Sequence, residues 1–182
     1  MPPREVACIG SRTLPPDALA VCTDLARTLT TQGWTVVTGA APGADQAYMR
    51  GADPTRLRIV LPWASFEAAV VSAARQAGAR VQVLPLDDPR RQAALAEHPA
   101  AGRLSPAAQR LLGRDGGILE PDPGQRVTTC IAWPSPRGGG TAFTMGLAQR
   151  RGIRVIDLSQ PLVRARAVAW LRSASPTPRP HL

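Results

Sequence analysis

No lysine occurs in this chain: all 22 basic side chains are arginine. That absence removes the Schiff-base lysine of pyridoxal-phosphate chemistry and the lysine of a Walker phosphate loop, so ordinary P-loop ATP hydrolysis drops out as well. Cysteine and histidine are scarce. Cys8, Cys22 and Cys130 stand far apart without CxxC spacing, and only His98 and His181 are available to join them in a metal site. Neither a disulfide framework nor a structural zinc is expected. No apolar run approaches the roughly 20 residues that span a bilayer, and the start MPPREVACIG lacks the long apolar region of a signal peptide. A soluble cytoplasmic protein without membrane association is expected. Aromatic residues number seven in 182, which limits the platforms on which bases could stack.

What is present fits one globular domain. A chain of 182 residues buries roughly 70% of the surface its unfolded form exposes, enough for a core that needs no staples. Sixteen glycines and 19 prolines mark many tight connections. The net charge of +9 is concentrated late, since residues 146–182 carry seven arginines against a single acid, Asp157. Such a surface attracts nucleic acid. Arg164 and Arg166, however, fall on opposing sides of any helix there, so no single binding face is evident.

The short, continuous apolar run Val6 to Ile9, followed by Gly10, reads as a strand buried on both faces of a parallel sheet. Asp17 to Gln32 places Leu19, Cys22, Leu25, Ala26 and Leu29 at helical spacing, with Asp17 as N-cap and Gly33 as stop. Residues 34–38 form a strand, 44–50 a short helix, and 57–61 a strand. Residues 65–77 form a helix capped by Ser65, and 81–84 a further strand. Between Pro85 and Gly124 the pattern weakens to two short helices, 90–97 and 106–112. Strand character returns at 127–133, followed by a helix at 141–151, a strand at 155–158 and a helix at 161–173. The alternation predicts an α/β fold: a Rossmann-like, doubly wound, mainly parallel sheet with helices on both faces, occupying residues 1–173 and followed by a flexible tail from Ala174.

In that architecture ligands bind beyond the carboxyl ends of the strands, and three loops there carry the chemistry. Gly10-Ser11-Arg12 offers close backbone approach, a hydroxyl and a forked cation suited to phosphate. Thr38-Gly39-Ala40-Ala41-Pro42-Gly43-Ala44-Asp45 leads into a helix whose first amides form an anion site, with Asp45 as helix cap or as acceptor for a ribose hydroxyl or a base. Pro134-Ser135-Pro136-Arg137-Gly138-Gly139-Gly140-Thr141 repeats this logic, with Thr141 able to cap or to bind phosphate, and Trp133 before it as an apolar wall for a base.

In order and spacing, GSR, TGAAPGAD and WPSPRGGGTAFTMGLAQRRGIRVIDL resemble the SLOG superfamily over about residues 4–160. That superfamily includes the DNA-processing protein DprA (Smf), YspA/YpsA-like proteins and the Lonely Guy hydrolases, and the first two loops look closest to DprA and YspA-like members. The resemblance implies a pocket formed by Gly10, Ser11, Arg12, Gly39, Ala40, Gly43, Ala44, Asp45, Gly138, Gly139, Gly140 and Thr141, and a homodimer or larger homo-oligomer. Two departures bear on function. Lonely Guy hydrolases carry a catalytic glutamate shortly after their glycine-threonine motif, whereas this chain reads Thr141-Ala142-Phe143-Thr144-Met145. Their catalytic arginine has no clear match in Leu104 to Arg110. Ala40 stands where many relatives have glycine. The expectation is therefore a binding protein, with a nucleotide or nucleotide derivative as bound ligand and phosphates on the glycine-rich loops. The alternative is a DprA-like single-stranded DNA binder, and a nucleoside-phosphate hydrolase using Asp45 or Glu67 ranks third.

Overall fold

Continuous apolar strands need cover on both faces, and the chain supplies it by crossing the sheet between halves. The computed structural model describes residues 4–174. It contains β1 (Glu5–Gly10), α1 (Pro16–Thr31), β2 (Thr35–Thr38), α2 (Ala44–Gly51), β3 (Leu57–Leu61), α3 (Ala68–Gln76) and β4 (Arg80–Val83). There follow α4 (Pro89–Ala96), α5 (Pro106–Leu119), β5 (Thr129–Trp133), α6 (Gly140–Arg150), β6 (Arg154–Asp157) and α7 (Pro161–Ala174). The expected tail lies outside the described residues except for Ala174, which ends α7. All six strands are parallel in the order β4-β3-β2-β1-β5-β6. The winding reverses between β1 and β5, which opens a crevice at the carboxyl ends of those two strands.

Residue parity along the strands divides the core into two layers. Val6 and Cys8 of β1, Val36 of β2, the odd-numbered residues of β3 and Ile131 of β5 pack with Cys22, Leu25, Tyr48, Val71 and Leu171 from α1, α2, α3 and α7. Ala7, Ile9, Val37, Val60, Cys130 and Ala132 point the other way, onto Ala94, Ile118, Leu119, Leu147 and Ala148 of α4, α5 and α6. Cys8, Cys22 and Cys130 are free thiols sealed in these layers, and burial pushes Cys22 up to about 11 and Cys130 to about 12. No helix among the described residues is long and apolar enough to cross a membrane.

Three expectations need correction. Asp17 does not cap α1: Pro15 holds the cap position, Pro16 enters as the first helical residue, and Asp17 sits in the first turn. Ser65 does not cap α3 either, because a turn closed by Phe66 N–H donating to the Trp63 carbonyl at 3.2 Å occupies its place. The edge-to-face Trp63–Phe66 pair, with centroids 5.1 Å apart, fixes that turn, and the helix starts only after Glu67 at φ 49°. Finally, α5 does not stop at Leu112 but continues to Leu119 through three glycines. Two of them form the track on which α4 lies: a Cβ on Gly116 would stand 2.2 Å from the Arg90 carbonyl oxygen, and one on Gly113 2.6 Å from Arg91 Cγ, while one on Gly117 would press on Leu84 and Val60 at 3.0 and 3.1 Å. Close helix contact outweighs the poor propensity of glycine.

Candidate ligand-binding cleft

Tight backbone crossing at the ends of β1 and β2 explains the glycines there. A Cβ on Gly10 would lie 2.5 Å from Ala44 Cβ, and one on Gly43, itself at φ 86°, 2.5 Å from the Ser11 carbonyl oxygen. The loops are stitched together by Ser11 N–H donating to Trp133 O at 2.8 Å and Ala44 N–H donating to Ser11 O at 3.1 Å. Ala40 is buried at φ 65°, a left-handed torsion costing about 1 kcal/mol for a residue with a Cβ. Arg12 is left exposed at the rim.

Asp45 neither caps α2 nor faces solvent. Gly43 is the cap residue and makes no side-chain cap, whereas Asp45 accepts from Gly10 N–H at 3.3 Å and Ala41 N–H at 3.2 Å, clamping the two loops to one carboxylate. Burial pushes its pKa up to about 6, against the pull of the Arg114 guanidinium and these two amides and with a further push from Asp115.

At the late loop, Gly138 N–H closes a turn onto Ser135 O at 3.0 Å, and Gly138 and Gly139 adopt φ 78° and 97° with open space around them. Torsion, not crowding, calls for glycine at these two positions. Gly139 precedes α6, so Thr141 lies inside the helix and no side chain caps it. The leading amides of α6 thus face the cleft without a side-chain partner.

The wall that sequence reasoning missed comes from α5. Ala108, Leu111, Leu112, Arg114 and Asp115 join Gly10, Ser11, Arg12, Asp45, Gly138, Gly140, Thr141 and Thr144 around a cleft of about 420 Å³. Arg114 is buried, and its Nη1 donates to Gly39 O at 2.6 Å and Val60 O at 3.3 Å. Gly39 has no Cβ because that atom would sit 1.8 Å from this nitrogen. Arg114 Nε lies 2.9 Å from Asp115 Oδ1, close enough for an ion pair yet misaligned for a hydrogen bond. Asp115 Oδ2 accepts from Thr144 Oγ1 at 2.6 Å. Burial raises the Asp115 carboxyl above its usual range, while Arg114, Thr144 and more distant Arg12 pull it back.

The cleft therefore has two chemical zones. Its rim offers Arg12 and the α6 amides to an anion; its floor offers two buried carboxylates, Asp45 and Asp115, flanking one guanidinium, which suits hydroxyl or amine donors. Gly39, Ala40, Gly43, Ala44 and Gly139 shape the loops without lining the space. Trp133 is elsewhere: β5 parity sends Cys130 and Ala132 toward the cleft helices and Ile131 and Trp133 to the opposite layer, where Arg164 lies 5.3 Å over the Trp133 ring. No group of three or more histidine, cysteine or acidic residues arranged for a metal occurs among the described residues.

The family model for DNA recombination-mediator protein A matches residues 2–62, which hold the GSR and TGAAPGAD loops. No curated protein sequence matches the chain. Among solved structures, DNA processing protein A from Helicobacter pylori, described for its single-stranded DNA binding mode, is 17% identical with a TM-score of 0.61 over 94% of this chain and 81% of that one. DNA processing protein A from Streptococcus pneumoniae is also 17% identical, with a TM-score of 0.58 over 95% of this chain. This chain spans 56% of the pneumococcal protein's length. The resemblance to the DprA-like members of the SLOG superfamily holds, in sequence for the first two loops and in fold for nearly the whole chain.

Proposed function

We propose that this protein binds single-stranded DNA across the cleft, with a phosphate held by Arg12 and the leading amides of α6. The observation that carries this reading is Arg12 itself: an exposed guanidinium without an ion-pair partner among the described residues, at the mouth of a cleft built by the two loops that the family model covers. The DNA-binding description of the Helicobacter pylori protein supports the same choice. Phosphate contacts supply sequence-independent affinity and make it salt-dependent, in keeping with the net charge of +9.

The test is binding of a labelled single-stranded oligonucleotide at rising salt. Wild-type protein is expected to retain it at low salt and to release it progressively. Arg12→Ala is expected to weaken binding about tenfold and to lower the slope of log affinity against log salt by about 0.7, the loss of one phosphate contact on a single strand. No retention at low salt overturns the reading.

A second reading, a free nucleotide or nucleotide derivative, is favoured by the cleft floor. Asp45 and Asp115 are both buried there, and a phosphate would be repelled by them while a sugar hydroxyl or base amine would be accepted. A mononucleotide that binds and displaces the oligonucleotide supports it; a mononucleotide that does neither removes it.

A further inference from the structure

A second cavity lies on the other face of the sheet, at the carboxyl end of β5. This groove, about 490 Å³, is bounded by the first turn of α1 at Asp17 and Ala18, by the Trp133 side chain, and by Arg164, Val168 and Arg172 of α7. The two cavities share one ridge. Ser11 of the cleft donates its amide to the carbonyl of Trp133 at 2.8 Å. The loop that begins with Arg12 runs directly into α1, whose first turn forms the groove wall.

The charges of the late basic segment sort accordingly. Arg150 and Arg151 are spent on Glu97, at 2.8 and 3.0 Å, and Arg166 lines a different groove beside Trp34 and Trp170. Arg164 and Arg172 form no ion pair among the described residues. Arg164 is held in place by Nη1 donating to Leu158 O at 3.0 Å and Ser159 O at 3.3 Å, which fixes its guanidinium over the Trp133 ring and leaves its other nitrogens free of acceptors among the described residues. The groove thus pairs two cations with one acid, Asp17, and adds an indole.

We infer that this groove is a second nucleotide subsite, so that one single strand straddles the carboxyl edge of the sheet, with one nucleotide in the cleft and the next stretch of backbone on Arg164 and Arg172 beside Trp133. The inference rests on the proposed binding of single-stranded DNA. Charge complementarity and the Arg12 ridge that joins the cavities select a polyanion continuous with the cleft ligand. A fixed cation over an aromatic ring is also a surface on which a base can stack.

The experiment uses Arg172→Glu, an exposed position whose change leaves the core intact, Trp133→Phe, and Arg12→Ala, each titrated with a long thymidylate oligonucleotide and with a dinucleotide. Arg172→Glu is expected to weaken the long oligonucleotide about tenfold, to lower its salt slope by about 0.7, and to leave the dinucleotide unchanged. Arg12→Ala is expected to weaken both. Trp133→Phe is expected to remove most of the fluorescence change that accompanies long-oligonucleotide binding. If wild type binds and Arg12→Ala fails while Arg172→Glu and Trp133→Phe behave as wild type, the second subsite is wrong and the cleft stands. If wild type binds neither oligonucleotide, the DNA reading itself falls.

Discussion

Asp45 sets a pH dependence that a surface carboxylate would not. Its pKa stands at about 6 in the fold against 3.8 for an ordinary aspartate, so between those limits the folded state holds a proton that the unfolded state has released. The sign follows: stability from this group is present in full below about pH 4 and declines as pH rises through about 6. Ionising the buried carboxyl costs the fold up to about 3 kcal/mol. Asp45→Asn has no such titration. The variant offers the same one donor and one acceptor side toward Gly10 and Ala41 as the protonated acid, so it is expected to lie close to wild type at pH 4 and to gain on it as pH rises to 7. Urea unfolding at several pH values measures the gap, and parallel stability curves would sink the assignment of this titration to Asp45.

Helices α4 and α5 show where sequence reading succeeds and where it stops. Strands are legible because short apolar runs bounded by glycine or proline have few other uses, and the three ligand-side loops are legible because their glycines cluster between a strand and a helix, required by torsion at Gly138 and Gly139 and by close approach at Gly10 and Gly43. Gly113, Gly116 and Gly117 carry no such local signature. Gly113 and Gly116 admit another helix and Gly117 admits the side chains of Leu84 and Val60, so the three read as helix breakers and hide Arg114 and Asp115, the two cleft residues lying between them. The available signal is an Arg-Asp pair enclosed by glycine and leucine in LLGRDGGIL, an unusual setting for surface charge. Trp133 is misplaced for a simpler reason: the period of two along β5 assigns it to the layer of Ile131, and that parity is readable.

The same helices supply a paired test. Gly116→Ala is expected to destabilise the protein by about 3 kcal/mol despite alanine's better propensity, because its Cβ meets the backbone of Arg90. Gly146→Ala in α6 meets only the far end of the Arg150 side chain, 3.2 Å away, and is expected to stabilise by about 0.5 to 1 kcal/mol. Thermal melts of both variants decide it; changes of the same sign would contradict the proposed α4–α5 contact.

At the scale of the whole molecule, the sheet is open to ligand at one end and locked at the other. Arg58 of β3 reaches Glu5 of β1 at 2.9 Å, both oxygens of Asp122 at 2.7 and 2.9 Å, and the Pro121 carbonyl at 3.0 Å. Arg90 binds the Glu120 and Pro121 carbonyls at 2.9 and 2.8 Å, so α4 and the passage from α5 to β5 are tied to the strands. Arg58→Leu strands Glu5 as a buried charge and is expected to cost about 3 to 5 kcal/mol, whereas the double replacement with Glu5→Leu is expected to recover part of that loss. Additive costs in a double-mutant cycle would show that the pair is not coupled.

The three sealed thiols give this architecture a clock. Cys8 and Cys130 lie in the adjacent central strands β1 and β5, on opposite faces of the sheet, and Cys22 of α1 shares the layer of Cys8, none of them exposed. A thiol reagent reaches them only when the layers part, so the pace of labelling counts openings of one face against the other. Because Gly10 at the end of β1 lines the cleft and Trp133 at the end of β5 lines the groove, a bound ligand that bridges β1 and β5 would be read as a slower clock on both faces.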